Sequence, residues 1–167
     1  MRAVTESIPF EALDECHRQI MSHLADLANL ARQIEAKGVD AAAQHQAGVI
    51  EAFFSRTSRE HHAQEEKSVF APLLALGDSA LNASVHTLQQ DHGWIEENWI
   101  ELAPQLNAIA SGNNWPDPAE FLHGVQVFVD LCTDHIALEE TVVYPQSREQ
   151  WAQALEARKL REKVPPA

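Results

Sequence analysis

Residues 61–72 read HHAQEEKSVFAP and residues 134–145 read DHIALEETVVYP. Set His61 against His135 and the two stretches match. Each histidine is followed four residues later by a glutamate, Glu65 or Glu139, and then by a second one, Glu66 or Glu140. A valine–aromatic pair comes next, Val69-Phe70 or Val143-Tyr144, and a phenylalanine, Phe54 or Phe128, lies seven residues before each histidine. Residues four apart lie one above the other on a helix, so each HisxxxGlu points an imidazole and a carboxylate in one direction.

Outward from these stretches the chain keeps helical periodicity, with Gly and Pro confined to a few break points. A first helix is expected from Phe10 to about Lys37, its stripe formed by Phe10, Leu13, His17, Ile20, Leu24, Leu27 and Ala31, and Gly38 closes it. A second runs from about Asp40 to Leu74 through Ile50, Phe53, Phe54, His61, Glu65 and Val69, with Pro72 kinking or ending it before the Gly77-Asp78-Ser79 turn. The third spans Ser79 to Ala110 with Leu88, His92, Ile95, Trp99, Leu102 and Leu106, bent near its end by Pro104. After the turn-rich SGNNWPDP, a fourth helix begins at Pro118, carries Phe121, Phe128, Leu131, Cys132, His135, Leu138, Glu139 and Val142, and is expected to stop at Pro145. Ser147 is placed to cap a shorter fifth helix with Trp151 and Leu155, followed by a loose, Pro-rich end. The implied architecture is all-α: an antiparallel up-down-up-down four-helix bundle over residues 1–146, with a C-terminal helix and tail over 147–167.

The repeat extends to the other two long helices. His17 has Leu13 four before and Leu24 seven after, while His92 has Leu88 four before and Trp99 seven after. Each half therefore reads helix-His, then helix-HisxxxGlu. All four histidines lie on the apolar stripes that must face the bundle interior, so four imidazoles and two carboxylates converge on one buried zone. Without partners, two buried carboxylates repel and carry a large desolvation cost. Two divalent cations remove that difficulty, and imidazole–carboxylate ligation suits iron, with manganese and zinc left open. A ferritin-like site would show Glu-x-x-His; here the order is reversed and the spacing is four, so that assignment fails.

Composition agrees. The 167 residues hold 12 Lys+Arg against 25 Asp+Glu, a formal net charge of −13, which argues against nucleic acid and against an anionic membrane surface. Two cysteines with no CxxC pair exclude a disulfide framework and make structural zinc an unsuitable reading. MRAVTESIPF lacks the apolar core of a signal peptide, and no run approaches the ~18 apolar residues of a membrane span. A soluble cytoplasmic protein is expected. Nine histidines beside one tyrosine and two methionines is the count out of line, and it points to metal.

These features resemble the haemerythrin-like (HHE cation-binding) family over about residues 10–146, through the four-helix pattern and the paired HisxxxGlu motifs. The resemblance implies a non-haem di-iron centre, two iron ions with an oxo or hydroxo bridge, held by His17, His61, Glu65, His92, His135 and Glu139, with Glu65 and Glu139 bridging. The invertebrate oxygen carriers of that family have a fifth histidine as HisxxxHis on the third helix, whereas His92 here is followed by Glu96 and preceded by Leu88. Four histidines is closer to bacterial members, including proteins linked to repair of iron centres after nitrosative stress. Those carry an additional cysteine-containing N-terminal domain, which this chain is expected to lack.

The remaining candidates are read more plainly. His62 with Glu66 is also a HisxxxGlu, but the alignment to His135 favours His61, and about 100° per residue turns His62 toward a neighbouring helix or solvent. His23, His45, His86 and His123 lie off the stripes. Glu96 and, less strongly, Asp14 are read as outer partners of the ligands. Cys132 should face inward as an inert thiol and Cys16 away from the centre. Trp99 and Tyr144 are read as core, Glu66 and Glu140 as solvated. The expected function is binding of a small diatomic ligand, oxygen or nitric oxide, for storage, sensing or stress response. The alternative is a di-iron oxidoreductase acting on peroxide, oxygen or nitric oxide, or an iron donor in repair of damaged iron centres. The partners are thus a small diatomic or peroxide, an undefined redox partner, and a second copy through the C-terminal helix.

Overall fold

A computed structural model describes residues 10–164. The leader reading of residues 1–9 and the Pro-rich end at 165–167 lie outside it. Four rods pack side by side. The first is α1, Phe10–Lys37. The second is assembled from α2 (Ala41–Ala52), α3 (Arg59–Glu65) and α4 (Ala71–Leu74), joined by π-helical turns at Phe53–Ser58 and Glu66–Phe70. The third is α5, Ser79–Ala110, and the fourth begins with α6, Pro118–Leu138. Rods adjacent in sequence are adjacent in space, and α6 returns to α1, closing an antiparallel square. No described helix is long and apolar enough to cross a membrane.

Local chemistry sets the rod ends. Asp40, Asp78 and Asp117 each accept from a backbone N–H of the first turn that follows, at Ala43, Leu81, and Ala119 and Glu120. Gly38 ends α1 at φ +80°, where a Cβ would be strained, and its N–H bonds to Ile34 O at 2.8 Å. Pro118 is tolerated where no N–H is needed.

The fourth rod departs from expectation. Pro145 does not stop it: the chain stays helical from Pro118 to Glu162, through a π-turn at Glu139–Val143 into α7, Tyr144–Glu162. A proline crowds the carbonyl four residues back and gives it no N–H, and the widened turn just before Pro145 makes room for the ring. Pro72 follows the Glu66–Phe70 π-turn in the same way, and that helix runs on to Leu74. Ser147 therefore caps nothing; it is buried inside α7.

Two apolar clusters fill the bundle. The larger includes Leu24, Leu27, Phe54, Trp99, Leu106, Phe121 and Phe128. The smaller is built on Leu13, Val69, Phe70, Leu73, Val85, Leu88, Val143 and Tyr144. Each fully buried Leu or Phe contributes about 2 kcal/mol of transfer free energy. The same stripes are broken by His17, His61, Glu65, His135 and Glu139, all buried, and these form a polar layer between the clusters.

Candidate metal centre

One helical register carries each donor into that layer. On α1, His17 continues the stripe between Leu13 and Ile20. On α3, His61 and Glu65 are successive inward positions; His92 precedes Ile95 on α5, and His135 ends the α6 stripe just before Glu139 opens the π-turn. The six residues expected to meet do meet.

Their arrangement follows the internal repeat. His17 and His61 form one pair, ring centroids 4.8 Å apart; His92 and His135 form the other at 4.7 Å. The carboxylates divide their oxygens between the pairs. Glu65 Oε1 lies 2.8 Å from His61 Nε2 and 3.4 Å from His17 Nε2, whereas its Oε2 lies 3.2 Å from His92 Nε2. Glu139 Oε2 is 3.0 Å from His17 Nε2, and its Oε1 is 2.9 Å from His135 Nε2 and 4.0 Å from His92 Nε2. Both carboxylates are 0 % exposed.

These short approaches are not hydrogen bonds. Nε2 of His61, His92 and His135, Oε2 of Glu65 and both oxygens of Glu139 are buried without a hydrogen-bond partner. Buried polar atoms are ordinarily satisfied, and six converging ones that aim lone pairs at shared points form a donor set for cations. The residues fit a metal, and two overlapping groups emerge: His17, His61, Glu65 and Glu139, and His62, Glu65, His92 and His135, with the donor atoms of each group within 4.8 Å of one another.

The electrostatics agree. Burial alone would lower the pKa of His17, but the Glu139 and Glu65 carboxylates outweigh it and lift the ring to about 10. His92 is raised against the same burial by Glu65 and Glu66. Burial works against ionisation of Glu65, yet His17, His61 and His92 hold it well below the usual carboxylate range. Protons on the rings partly offset the buried negative charge, the role a cation fills more completely.

Around the layer, several residues take roles the sequence reading did not give them. Glu66 and Glu140 are not merely solvated: Glu140 Oε1 lies 3.0 Å from His17 Nδ1 and Glu66 Oε1 lies 2.8 Å from His92 Nδ1. The doubled Glu-Glu in both repeats was the available signal. Asp91 Oδ2 lies 3.4 Å from His135 Nδ1. Such contacts on the outer nitrogen leave Nε2 free to face the centre. Tyr144 is more than core packing, since its hydroxyl donates to Glu65 Oε1 and its ring stacks on His17 at 5.0 Å. In the other repeat Phe70 stacks on His92 at 5.4 Å, without a hydroxyl. Burial first, then Glu65 and Glu139, push the Tyr144 phenol far above its ordinary range.

His62 is half-buried and takes the neighbouring-helix side of the expectation. It leans toward α5, stacked on His92 with centroids 4.2 Å apart. Burial, reinforced by the His92 imidazole, holds its pKa well below the ordinary value. Glu96 serves the bundle surface: it pairs with Arg59 across the α3–α5 seam. Asp14 pairs with Arg148 and ties α1 to α7. Cys132 is buried in the larger cluster. Cys16 packs against that cluster too, and burial and then Glu65 push its thiol up to about 11. Trp99 is core, its Nε1–H donating to Ser55 Oγ at 3.0 Å. His45, His86 and His123 are exposed, while His23 is half-buried against Phe53.

Comparison with known proteins adds to this. Residues 8–147 match the family described as Hemerythrin HHE cation binding domain. The chain is 28 % identical over 132 residues to an uncharacterized protein of Haemophilus influenzae, covering 79 % of this chain and 74 % of that one. No solved structure matches it.

Proposed function

The chain belongs to the hemerythrin HHE cation-binding family and is a metal-binding protein; from that premise we propose that it is a non-haem di-iron protein that binds a small diatomic molecule, oxygen or nitric oxide, for storage, sensing or stress response. The observation that carries this reading is the division of the oxygens of two fully buried carboxylates between two imidazole pairs. In this reading His17 and His61 hold one iron, His92 and His135 the other, and Glu65 and Glu139 bridge. Bound there, the pair supplies ferrous–ferric chemistry and coordination positions that the protein donors leave open.

The chain's own residues shape what reaches those positions. Glu140, Glu66 and Asp91 fix the outer nitrogens of His17, His92 and His135, which orients the three rings. Phe54, Trp99 and Phe128 pack with centroids 5.3–5.4 Å apart, seven residues and so about 10 Å along their helices from His61, His92 and His135. With Leu131 packed against their cluster, they favour a small apolar visitor over a bulky polar one.

One observation favours turnover as the second reading. Glu140 is about half exposed at its side chain (51 %) and touches His17 Nδ1, so it offers a proton route from the surface to the ring. It also lines, with Asp14, Arg18, Tyr144 and Arg148, a surface cleft of about 400 Å³. Elemental analysis after iron loading tests the centre itself, with about two irons per chain expected. Anaerobic reduction, exposure to oxygen or nitric oxide and return to ligand-free buffer then separates the readings. A spectral change that reverses supports binding; one-way oxidation or continuous consumption of peroxide supports turnover.

A further inference from the structure

The two ends of the centre are unequal, and His62 is the residue that makes them so. Under the offset that sets His61 on His135, His62 falls on Ile136, which is buried in the larger apolar cluster. Packing in the second half thus takes a hydrocarbon at this position, while the first half puts an imidazole there. That imidazole lies among the donors of one end only. Its ring is 4.2 Å from that of His92 and 5.7 Å from that of His135. One ligand nitrogen of His62 lies within 4.8 Å of donor atoms on Glu65, His92 and His135. Among the described residues no hydrogen bond engages the ring, so its nitrogens are not committed elsewhere.

We propose that His62 is a further metal donor at the His92–His135 end, a third imidazole that gives this cation position one more protein ligand than the His17–His61 position. The inference rests on the di-iron reading and deepens it. Its consequence is that the two cation positions are held unequally. The better-held iron sits at the three-histidine end under the Phe70 ring. The two-histidine end has instead the Tyr144 hydroxyl, 3.2 Å from His17 Nε2. The repeat supports this inequality, because two of the positions that break its symmetry, His62 against Ile136 and Tyr144 against Phe70, fall at opposite ends of the centre.

The test uses the full chain loaded with iron-57 and two variants, His62→Phe, which keeps a ring to stack on His92, and His62→Gln, which keeps polarity and approximate size. Mössbauer spectra report the two irons separately, and competition with a chelator reports how tightly each is held. The wild type should show two distinct iron environments. In both variants one iron, that of the three-histidine end, should be lost or weakened by more than the roughly 10–100-fold that losing an outer hydrogen-bond partner costs, while the other keeps its signature. Wild-type spectra and retention in either variant would overturn the proposal, and so would equal weakening of both irons, which marks a packing role. A wild-type chain that takes up no more iron than a Glu65→Ala variant would instead sink the di-iron reading, a distinguishable result.

Discussion

Glu66 and Glu140 stand one residue beyond the carboxylates that face the centre, and one residue on a helix is a turn of about 100°. That rotation carries each of them across to the neighbouring rod, where it meets the outer nitrogen of His92 or His17. A carboxylate there holds Nδ1–H as the donor, so the Nε2 lone pair faces inward. Replacing either by Gln keeps a hydrogen-bond acceptor but removes the charge. Glu66→Gln and Glu140→Gln are each expected to weaken metal binding about 10–100-fold at unchanged helix content, read by chelator competition and circular dichroism. Protonation gives a second expectation at this scale. His17 is lifted to about 10 by Glu139 and Glu65 despite its burial, so the metal-free ring holds a proton below that pH, and a cation must displace it. Apparent affinity should therefore rise with pH, about tenfold per unit for each proton displaced, and fall on acidification. A metal titration repeated at about pH 6, 7 and 8, flat across the three, would contradict this. The six inward donors were legible because each falls on its own helix's stripe. The outer partners were not, because stripe analysis of one helix is blind to where a ring on the next rod turns its second nitrogen.

At the level of elements, the π-turns after Glu65 and Glu139 connect the sequence to the site. In each, an N–H bonds five residues back, Ala71 to Glu66 O and Tyr144 to Glu139 O, so one residue more than an α-turn fits between the inward glutamate and the helix beyond. That extra residue sets Phe70 against His92 and Tyr144 against His17. Tyr144→Phe should keep the ring stacked on His17 and remove only the hydroxyl. Helix content should stay constant by circular dichroism. The hydroxyl contact to Glu65 should be lost, with a cost of about 1–3 kcal/mol for the buried oxygen left short of a partner, visible as a lower unfolding midpoint. Rod limits were readable from the sequence because their causes are local, an Asp cap or a positive-φ Gly within a few residues. The continuous helix from Pro118 to Glu162 was not, since a proline ahead of a polar stretch reads as a stop unless the wider turn before it is known. That turn depends on Val143 and Tyr144 packing into the smaller apolar cluster, which is tertiary information.

For the molecule as a whole, the polar layer lies between two apolar clusters of unequal size. The larger cluster draws on all four rods and runs as far as Ile34 and Ile109. The smaller one is bounded on its inner side by the layer itself, with Leu13 and Leu88 four residues before His17 and His92, and Val69 and Val143 four after Glu65 and Glu139. A pair of cations that together join donors from every rod would therefore act as the inner wall of the smaller cluster. Because a ligand bound only by the folded state stabilises it by mass action, metal at about a thousand times its dissociation constant adds about 4 kcal/mol. For a domain of this size that corresponds to roughly 8–16 °C in the unfolding midpoint. Chelation should lower the midpoint by that amount, and the loss should not be uniform. Stripped of metal, the layer keeps two carboxylates at 0 % exposure, balanced only by protons on neighbouring rings, and the thin side of the bundle has little else to hold it against them. Amide exchange after chelation is expected to rise first at residues 69–74, 85–88 and 143–147, while 24–34 and 102–109 remain protected. Uniform acceleration along all four rods would mean that the metal holds the whole bundle rather than one end of it, and would detach the stability of the smaller cluster from the six donors.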